Sequence, residues 1–227
     1  MHRHSAAPFV AALLVVLPAA AQQPGPQPNA GMNFFITSSN PGKGADLGGL
    51  EGADRHCQTL AAAVGQGGKT WRAYLSTQAD GGRAAIHARD RIGAGPYLNF
   101  RGEEIARDKA ALHTADGNRI SADSALTERG QKVVGRGWLI NYHDILTGSN
   151  PDGTAFPADK DMTCGNWTKS GAGSAMVGHH DRAGLDDSAA AKSWVTSHPS
   201  RGPDGGCSAA DLRTTGGGGL FYCFAGN

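Results

Sequence analysis

The sequence predicts an α+β fold with a mixed antiparallel sheet, one or two early helices and long glycine-rich loops. Short runs of aromatic and β-branched residues stand near both ends of the chain, and an amphipathic segment follows the first of them. Glycine accounts for 34 of the 227 residues, which indicates many turns between short elements. The four cysteines predict two disulfides, because an even number in an exported chain favours paired thiols.

The first residues have the pattern of a signal peptide. Arg3 supplies positive charge, residues 9–17 form an apolar run, and residues 18–21 are PAAA. The apolar run is shorter than the roughly 20 residues that span a bilayer. We therefore expect a signal peptide at residues 1–21, a secreted or periplasmic protein, and no membrane span after the signal is removed.

The remaining chain divides into a tether and one domain. Residues 22–31 are rich in Pro and Gln and predict a flexible linker, and residues 32–227 have the length of a single domain. Of the 21 basic residues only Arg3 lies in the signal segment, which leaves 20 basic against 20 acidic residues. A net charge of zero offers no positive face, so we expect no nucleic-acid partner.

Hydrophobic patterning predicts the elements in order. Residues 32–38 (MNFFITS) favour a first strand. Apolar side chains recur at spacings of three and four in residues 50–64, which predicts a helix with Cys57 on its buried face. Residues 70–76 predict another strand, with Trp71 in the core. The other expected elements are a short helix at 84–92, two short strands within 97–105, a strand at 137–141 and a terminal strand at 220–224.

Residues 142–203 are polar, rich in glycine and weakly periodic. We interpret them as a long, ordered loop region, because loops of this length in compact domains are usually functional. We expect two tryptophans in the core: Trp138, which precedes this region, and Trp167, which lies within it.

The cysteines favour disulfides over a zinc site. No CxxC or CxxH spacing occurs among them. Four cysteines allow three pairings, and their spacing alone does not choose one. The residues concerned are Cys57, Cys164, Cys207 and Cys223.

Several segments, in chain order, resemble the endostatin domain of basement-membrane collagens. They are GADRHCQ at 52–58, AAVG at 62–65, WRAYLS at 71–76, PYLNF at 96–100, LTGSNPDG at 146–153 and CGNW at 164–167. The chain also resembles bacterial secreted proteins of the same fold that are described as lectins. The resemblance implies a C-type-lectin-like (endostatin-like) fold and a nested pairing, Cys57 with Cys223 and Cys164 with Cys207. The family's zinc site does not carry over, since no histidine lies between Ala21 and Asp54.

The resemblance implies a lectin-like binding protein that recognises a glycan or cell-surface polymer through residues 142–203. An exposed aromatic ring packs on a pyranose while polar groups bind its hydroxyls. Trp194 is our candidate ring, although a core position for it is an equal alternative. The polar groups expected around it are Asp181, Arg182, His198 and Arg201.

Two metal sites are conceivable in this region. Asn150 and Asp152 flank a proline as in calcium-dependent lectins, so calcium is a possible cofactor, although Asn-Pro-Asp-Gly is also an ordinary turn. A transition-metal site would require the histidines and Asp181 to converge, and we expect none. The candidates for such a site are His179, His180, Asp181 and His198.

We expect no enzyme activity, because the chain has neither a GxSxG nor an HExxH motif and two disulfides would leave no free cysteine. The alternatives to a lectin are a protein-binding adhesion or matrix module without a sugar site and a metal-dependent hydrolase.

Overall fold

The computed structural model describes residues 25–201 and 206–226, together with Met1. Except for Met1, the expected signal peptide therefore lies outside the described residues. Within the described ranges, the strands are β1 (Phe34–Ile36), β2 (Thr70–Ala73), β3 (Tyr97–Leu98), β4 (Glu104–Ala106), β5 (Asp144–Leu146), β6 (Met176–His179), β7 (His198–Pro199) and β8 (Gly217–Gly226). The helices are α1 (Gly49–Ala63), α2 (Lys109–Leu112), α3 (Cys164–Trp167) and α4 (Ala209–Arg213), and a 3₁₀ turn occupies Ala88–Asp90.

The molecule is an α+β domain built around one mixed sheet, with strand order β1-β8-β5-β6-β7 and β2 also paired with β8. Strand β8 is antiparallel to β1 and β2 but parallel to β5, so the sheet is not purely antiparallel. Strands β3 and β4 form a separate pair. The long terminal strand β8 thus joins the two halves of the sheet.

Helix α1 covers this sheet because its apolar side chains share one face. Its buried residues recur at helical spacing, as expected, and Cys57 is among them with no exposed surface. Cys57 is bonded to Cys223 of β8 with 5.7 Å between the Cα atoms, which ties the helix to the sheet. Cys164 is bonded to Cys207, with a Cα separation of 5.8 Å. The expected pairing is confirmed.

Three sequence-based expectations were wrong. The short helix at 84–92 is only the 3₁₀ turn. The strand at 137–141 is absent, since residues 136–140 form a turn and bends in which Trp138 is 68% exposed rather than in the core. The presumed loop region 142–203 contains β5, β6 and β7, which are three, four and two residues long. Trp167 is fully buried, as expected.

The N-terminal tether is partly described. Residues 25–31 contain no helix or strand, and the backbone N–H of Asn29 donates to the carbonyl of Phe100. None of the helices in the described part of the chain is long and apolar enough to cross a membrane.

Candidate metal centre

The register of three short strands brings ionisable side chains together. Asp144, the first residue of β5, lies directly opposite His179, the last residue of β6. His198 of β7 lies opposite Val177, which is two residues before His179 and therefore on the same face of the sheet. The ladder thus places Asp144, His179 and His198 side by side, although they are far apart in the chain.

His143 completes a group that we call the His–Asp cluster (His143, Asp144, His179 and His198). The Nε2 atoms of His143 and His179 each lie 3.2 Å from Asp144 Oδ1, and that of His198 lies 3.6 Å from it. The His179 and His198 Nε2 atoms are 3.1 Å apart. The His143 and His179 rings are stacked, with centroids 4.1 Å apart. All of these side chains are buried except that of His198, which is 30% exposed.

Each Nδ1 of the three imidazoles lies near an oxygen that accepts a hydrogen bond, so we assign Nδ1 as the donor atom. A neutral ring then directs the lone pair of its Nε2 atom toward Asp144. The contact with Asp144 raises the pKa of His198, which favours the protonated form of that ring. The Nδ1 contacts are His143 to Asp181 Oδ1 at 3.3 Å, His179 to the carbonyl of Ala191 at 2.8 Å, and His198 to the carbonyl of Pro199 at 3.1 Å.

Asp144 lies at the centre of these three Nε2 atoms. It is 1% exposed, and within the described residues neither of its carboxylate oxygens accepts a well-oriented hydrogen bond. Burial by itself raises the pKa of Asp144, but contacts from His179 and His198 bring it down to about 2. The buried negative charge is stabilised by a nearby cation, which is either a protonated His198 or a metal ion held by the Nε2 atoms.

The separations fit a transition-metal ion. Zinc binds imidazole nitrogen and carboxylate oxygen at roughly 2.0–2.2 Å, so neighbouring ligand atoms in a tetrahedral shell are about 3.3 Å apart. The contacts of Asp144 Oδ1 with the three Nε2 atoms, and the contact between His179 Nε2 and His198 Nε2, measure 3.1–3.6 Å and bracket this value. Ligand atoms of His143, Asp144 and His179 all lie within 4.8 Å of one another, and His198 is not part of that group. Two imidazoles and one carboxylate, with His198 beside them, form a donor set suited to zinc.

Asp181 binds the Nδ1 side of His143, opposite the Nε2 atom that faces Asp144. Its Oδ1 accepts from His143 Nδ1 and from the backbone N–H of Ala183, and its Oδ2 accepts from the backbone N–H of Arg136 at 2.8 Å. Burial raises the pKa of Asp181, but these bonds hold it well below its ordinary value. An ionised carboxylate that orients an imidazole is the usual outer partner of a metal-binding histidine.

A cavity of about 750 Å³ opens over the cluster. Three imidazoles of the cluster lie in its wall, so an ion bound there would face the cavity. The rest of the lining combines cationic, hydroxyl-bearing and apolar groups. It consists of Arg136, Asn141, Gly184, Leu185, Asp186, Ser188, Ala190, Ala191, Ser197, Arg201, Thr214 and Thr215.

The structure separates the residues of the expected sugar site. Trp194 is 3% exposed, donates from Nε1 to the carbonyl of Leu112, and packs 5.0 Å from the Tyr74 ring and 5.3 Å from the Tyr222 ring. Its expected role as an exposed sugar platform is therefore wrong. Arg182 bonds to the carbonyl of Ala115 and lines a different, smaller pocket.

The other expected site residues have different outcomes. His198 belongs to the His–Asp cluster, Arg201 lines the cavity, and Asp181 accepts a hydrogen bond from His143.

His180 is fully buried, and both of its ring nitrogens lack a hydrogen-bond partner among the described residues. Burial lowers the pKa of His180 to about 4, so the ring is neutral. His180 is not part of the cluster, because it follows His179 on the opposite face.

The Asn-Pro-Asp-Gly segment is a turn. Asp152 Oδ1 accepts from the backbone N–H and hydroxyl of Thr154, and its Oδ2 pairs with Arg89 at 3.2 Å. The Asn150 amide donates to the carbonyl of Ala155 at 3.0 Å. These contacts account for the conformation of the segment without a calcium ion.

Sequence reasoning missed His143 and Asp144, which begin β5. The signal that could have found them is the pair His143-Asp144 directly before the apolar Ile145-Leu146. A short apolar run that follows a histidine and an acid predicts a strand with ligands at its end. The strand was not recognised, because the sequence around it is polar. No protein-family model matches this chain, and no match was found among curated proteins.

Proposed function

We propose that this domain binds a divalent transition-metal ion, with zinc as the best fit, at the His–Asp cluster, and that the ion takes part in binding a ligand in the cavity above it. One observation carries the proposal. Three Nε2 atoms converge on one oxygen of a buried carboxylate that accepts no well-oriented hydrogen bond from the described residues.

Binding fits the arrangement better than hydrolysis does. Hydrolytic zinc sites have three protein ligands and keep one position for water. Here His143, Asp144 and His179 would supply three ligands, and His198, with Nε2 3.6 Å from Asp144 Oδ1, would supply the fourth in place of water. A closed shell would also make the ion structural, joining β5, β6 and β7. The large cavity and the partial exposure of His198 favour an additional role in ligand binding.

Zinc titration tests the proposal. The oxidised protein, stripped of metal by chelation, should bind one zinc ion per chain in isothermal titration calorimetry. His179→Ala and His198→Ala should each weaken binding at least tenfold. His56→Ala is the control, because His56 lies on α1 and contacts Ser39 rather than the cluster. Equal zinc affinity in all four proteins would rule out this site.

The fold and compartment proposals are consistent with this function. We infer a C-type-lectin-like fold, supported by the pairing of β1 with β8 near the two chain ends and by the nested disulfides. Two disulfides also support export to a secreted or periplasmic location. Glycan binding stays a proposal for the ligand class, and Trp138, at 68% exposed, would supply the ring in place of Trp194.

A further inference from the structure

The cavity over the His–Asp cluster has a positively charged part. Arg136 and Arg201 both line it and are both exposed. Among the described residues of the lining, Asp186 is the only acid. A divalent ion at the cluster would balance the charges of Asp144 and Asp181, and the two arginines then exceed the single charge of Asp186. The side of the cavity that carries the arginines therefore favours an anion.

Exposed apolar residues lie in the cavity lining and in the chain segment between two lining residues. Leu185 lines the cavity and is 92% exposed. Between the lining residues Arg136 and Asn141, the chain presents Trp138, Leu139 and Ile140, which are 68%, 104% and 54% exposed.

Apart from Met1 and Ile86, these four side chains are the exposed large hydrophobic residues within the described ranges. Three of them are consecutive in the chain, and the fourth lines the cavity. Exposed apolar groups beside a cavity are typical of a binding surface, because leaving them in water is unfavourable.

We infer that the cavity binds an anionic amphiphile, an aliphatic chain that ends in a phosphate or carboxylate group. This inference rests on the proposed metal centre. The bound ion and the two arginines attract the anionic head, and Leu185 with the 138–140 segment contacts the chain. A glycan needs one aromatic platform and many polar groups, whereas three aliphatic side chains beside a single Trp favour a hydrocarbon.

Matched probes test the two halves of the ligand. Zinc-loaded protein is titrated with decyl phosphate, decanoate, inorganic phosphate and decyl glucoside, each below its micelle concentration. Decyl phosphate or decanoate should bind at least tenfold more tightly than inorganic phosphate and than decyl glucoside. Trp138 provides the optical signal, since the other tryptophans are buried, and its emission should shift to shorter wavelength on binding. The buried ones are Trp71, Trp167 and Trp194.

Substitutions test which side chains contact the hydrocarbon chain and which contact the anionic head. Leu139→Ser with Leu185→Ser should reduce the affinity for decyl phosphate to that of inorganic phosphate, and Arg201→Gln should weaken both phosphates. Ile86→Ser is the control, because Ile86 is exposed but neither lines the cavity nor lies within three residues of one that does. It should leave the affinities unchanged.

The outcomes separate this inference from the metal proposal. Zinc binding without any advantage of decyl phosphate over inorganic phosphate would overturn the amphiphile alone. Tighter binding of decyl glucoside than of decyl phosphate would overturn the anionic head and favour a glycan. Absence of zinc binding would overturn both proposals.

Discussion

Asp144 and His179 are direct partners in the β5–β6 ladder, and their side chains meet with 3.2 Å between Oδ1 and Nε2. The contact is therefore set by the backbone register, in which a one-residue slip would turn His179 to the opposite face. Because β5 also pairs with the long terminal strand β8, most of whose residues are buried, the His–Asp cluster is attached to the interior of the sheet. Such support holds metal ligands in place before the ion arrives.

Replacing Asp144 should remove both the metal site and part of the stability. Asp144→Asn removes the buried charge that the cluster histidines contact. We expect the metal-free variant to be less stable near neutral pH by about 1–3 kcal/mol, because the lowered pKa of Asp144 means that the folded protein favours the ionised carboxylate. It should also lose the increase in melting temperature that zinc gives the wild type. Chemical denaturation and thermal melts, each with and without zinc, measure both effects, and a variant that keeps the zinc-dependent increase would contradict the account.

Asp181 should act on the metal only through His143. Asp181→Asn weakens the bond that orients the imidazole, and loss of such an outer partner typically costs 10–100-fold in metal affinity. Asp186→Asn is the matched control, since Asp186 lines the cavity and its carboxylate accepts from the backbone N–H of Ser188 rather than from a cluster histidine. Competition with a chromophoric zinc chelator measures the affinities. Equal losses in the two variants would point to a general effect of charge.

Gly178 should be essential for the position of His179. A Cβ atom at Gly178 would lie 2.0 Å from the carbonyl oxygen of Trp194, so Gly178→Ala forces β6 away from the segment that precedes β7. We expect a loss of about 3 kcal/mol, as for severe overpacking. Zinc affinity should fall as well. Gly171→Ala is the control, because no atom lies within 4 Å of the added Cβ, and a similar loss there would contradict the steric explanation.

Trp194 and Trp138 should respond oppositely to replacement by alanine. Trp194→Ala empties a site enclosed by Tyr74 and Tyr222 and should destabilise the domain by about 3–5 kcal/mol. Trp138→Ala should change stability by less than about 0.5 kcal/mol, because the side chain is exposed. Urea denaturation followed by circular dichroism measures both. A stable Trp194→Ala protein would contradict the burial of this ring.

The sequence predicted the parts of the fold that have local signals. Helix α1 has a long apolar periodicity, and β1 and β8 are rich in aromatic residues. Strands β5, β6 and β7 span only two to four residues, too few to show an alternating pattern.

The candidate site could be predicted only in part for the same reason. Histidines at 179 and 198 were recognised as possible ligands, but their convergence depends on long-range strand pairing, and Asp144 was hidden in an assumed loop. The contrast between Trp194 and Trp138 is likewise decided by tertiary packing rather than by local sequence.

The most direct test of the metal centre is anomalous X-ray scattering at the zinc absorption edge, from crystals of the zinc-loaded protein. We expect one strong peak within the His–Asp cluster, roughly 2.0–2.2 Å from the three Nε2 atoms and from an oxygen of Asp144. A zinc peak elsewhere, with the three imidazoles still facing the carboxylate and no ion between them, would contradict the account.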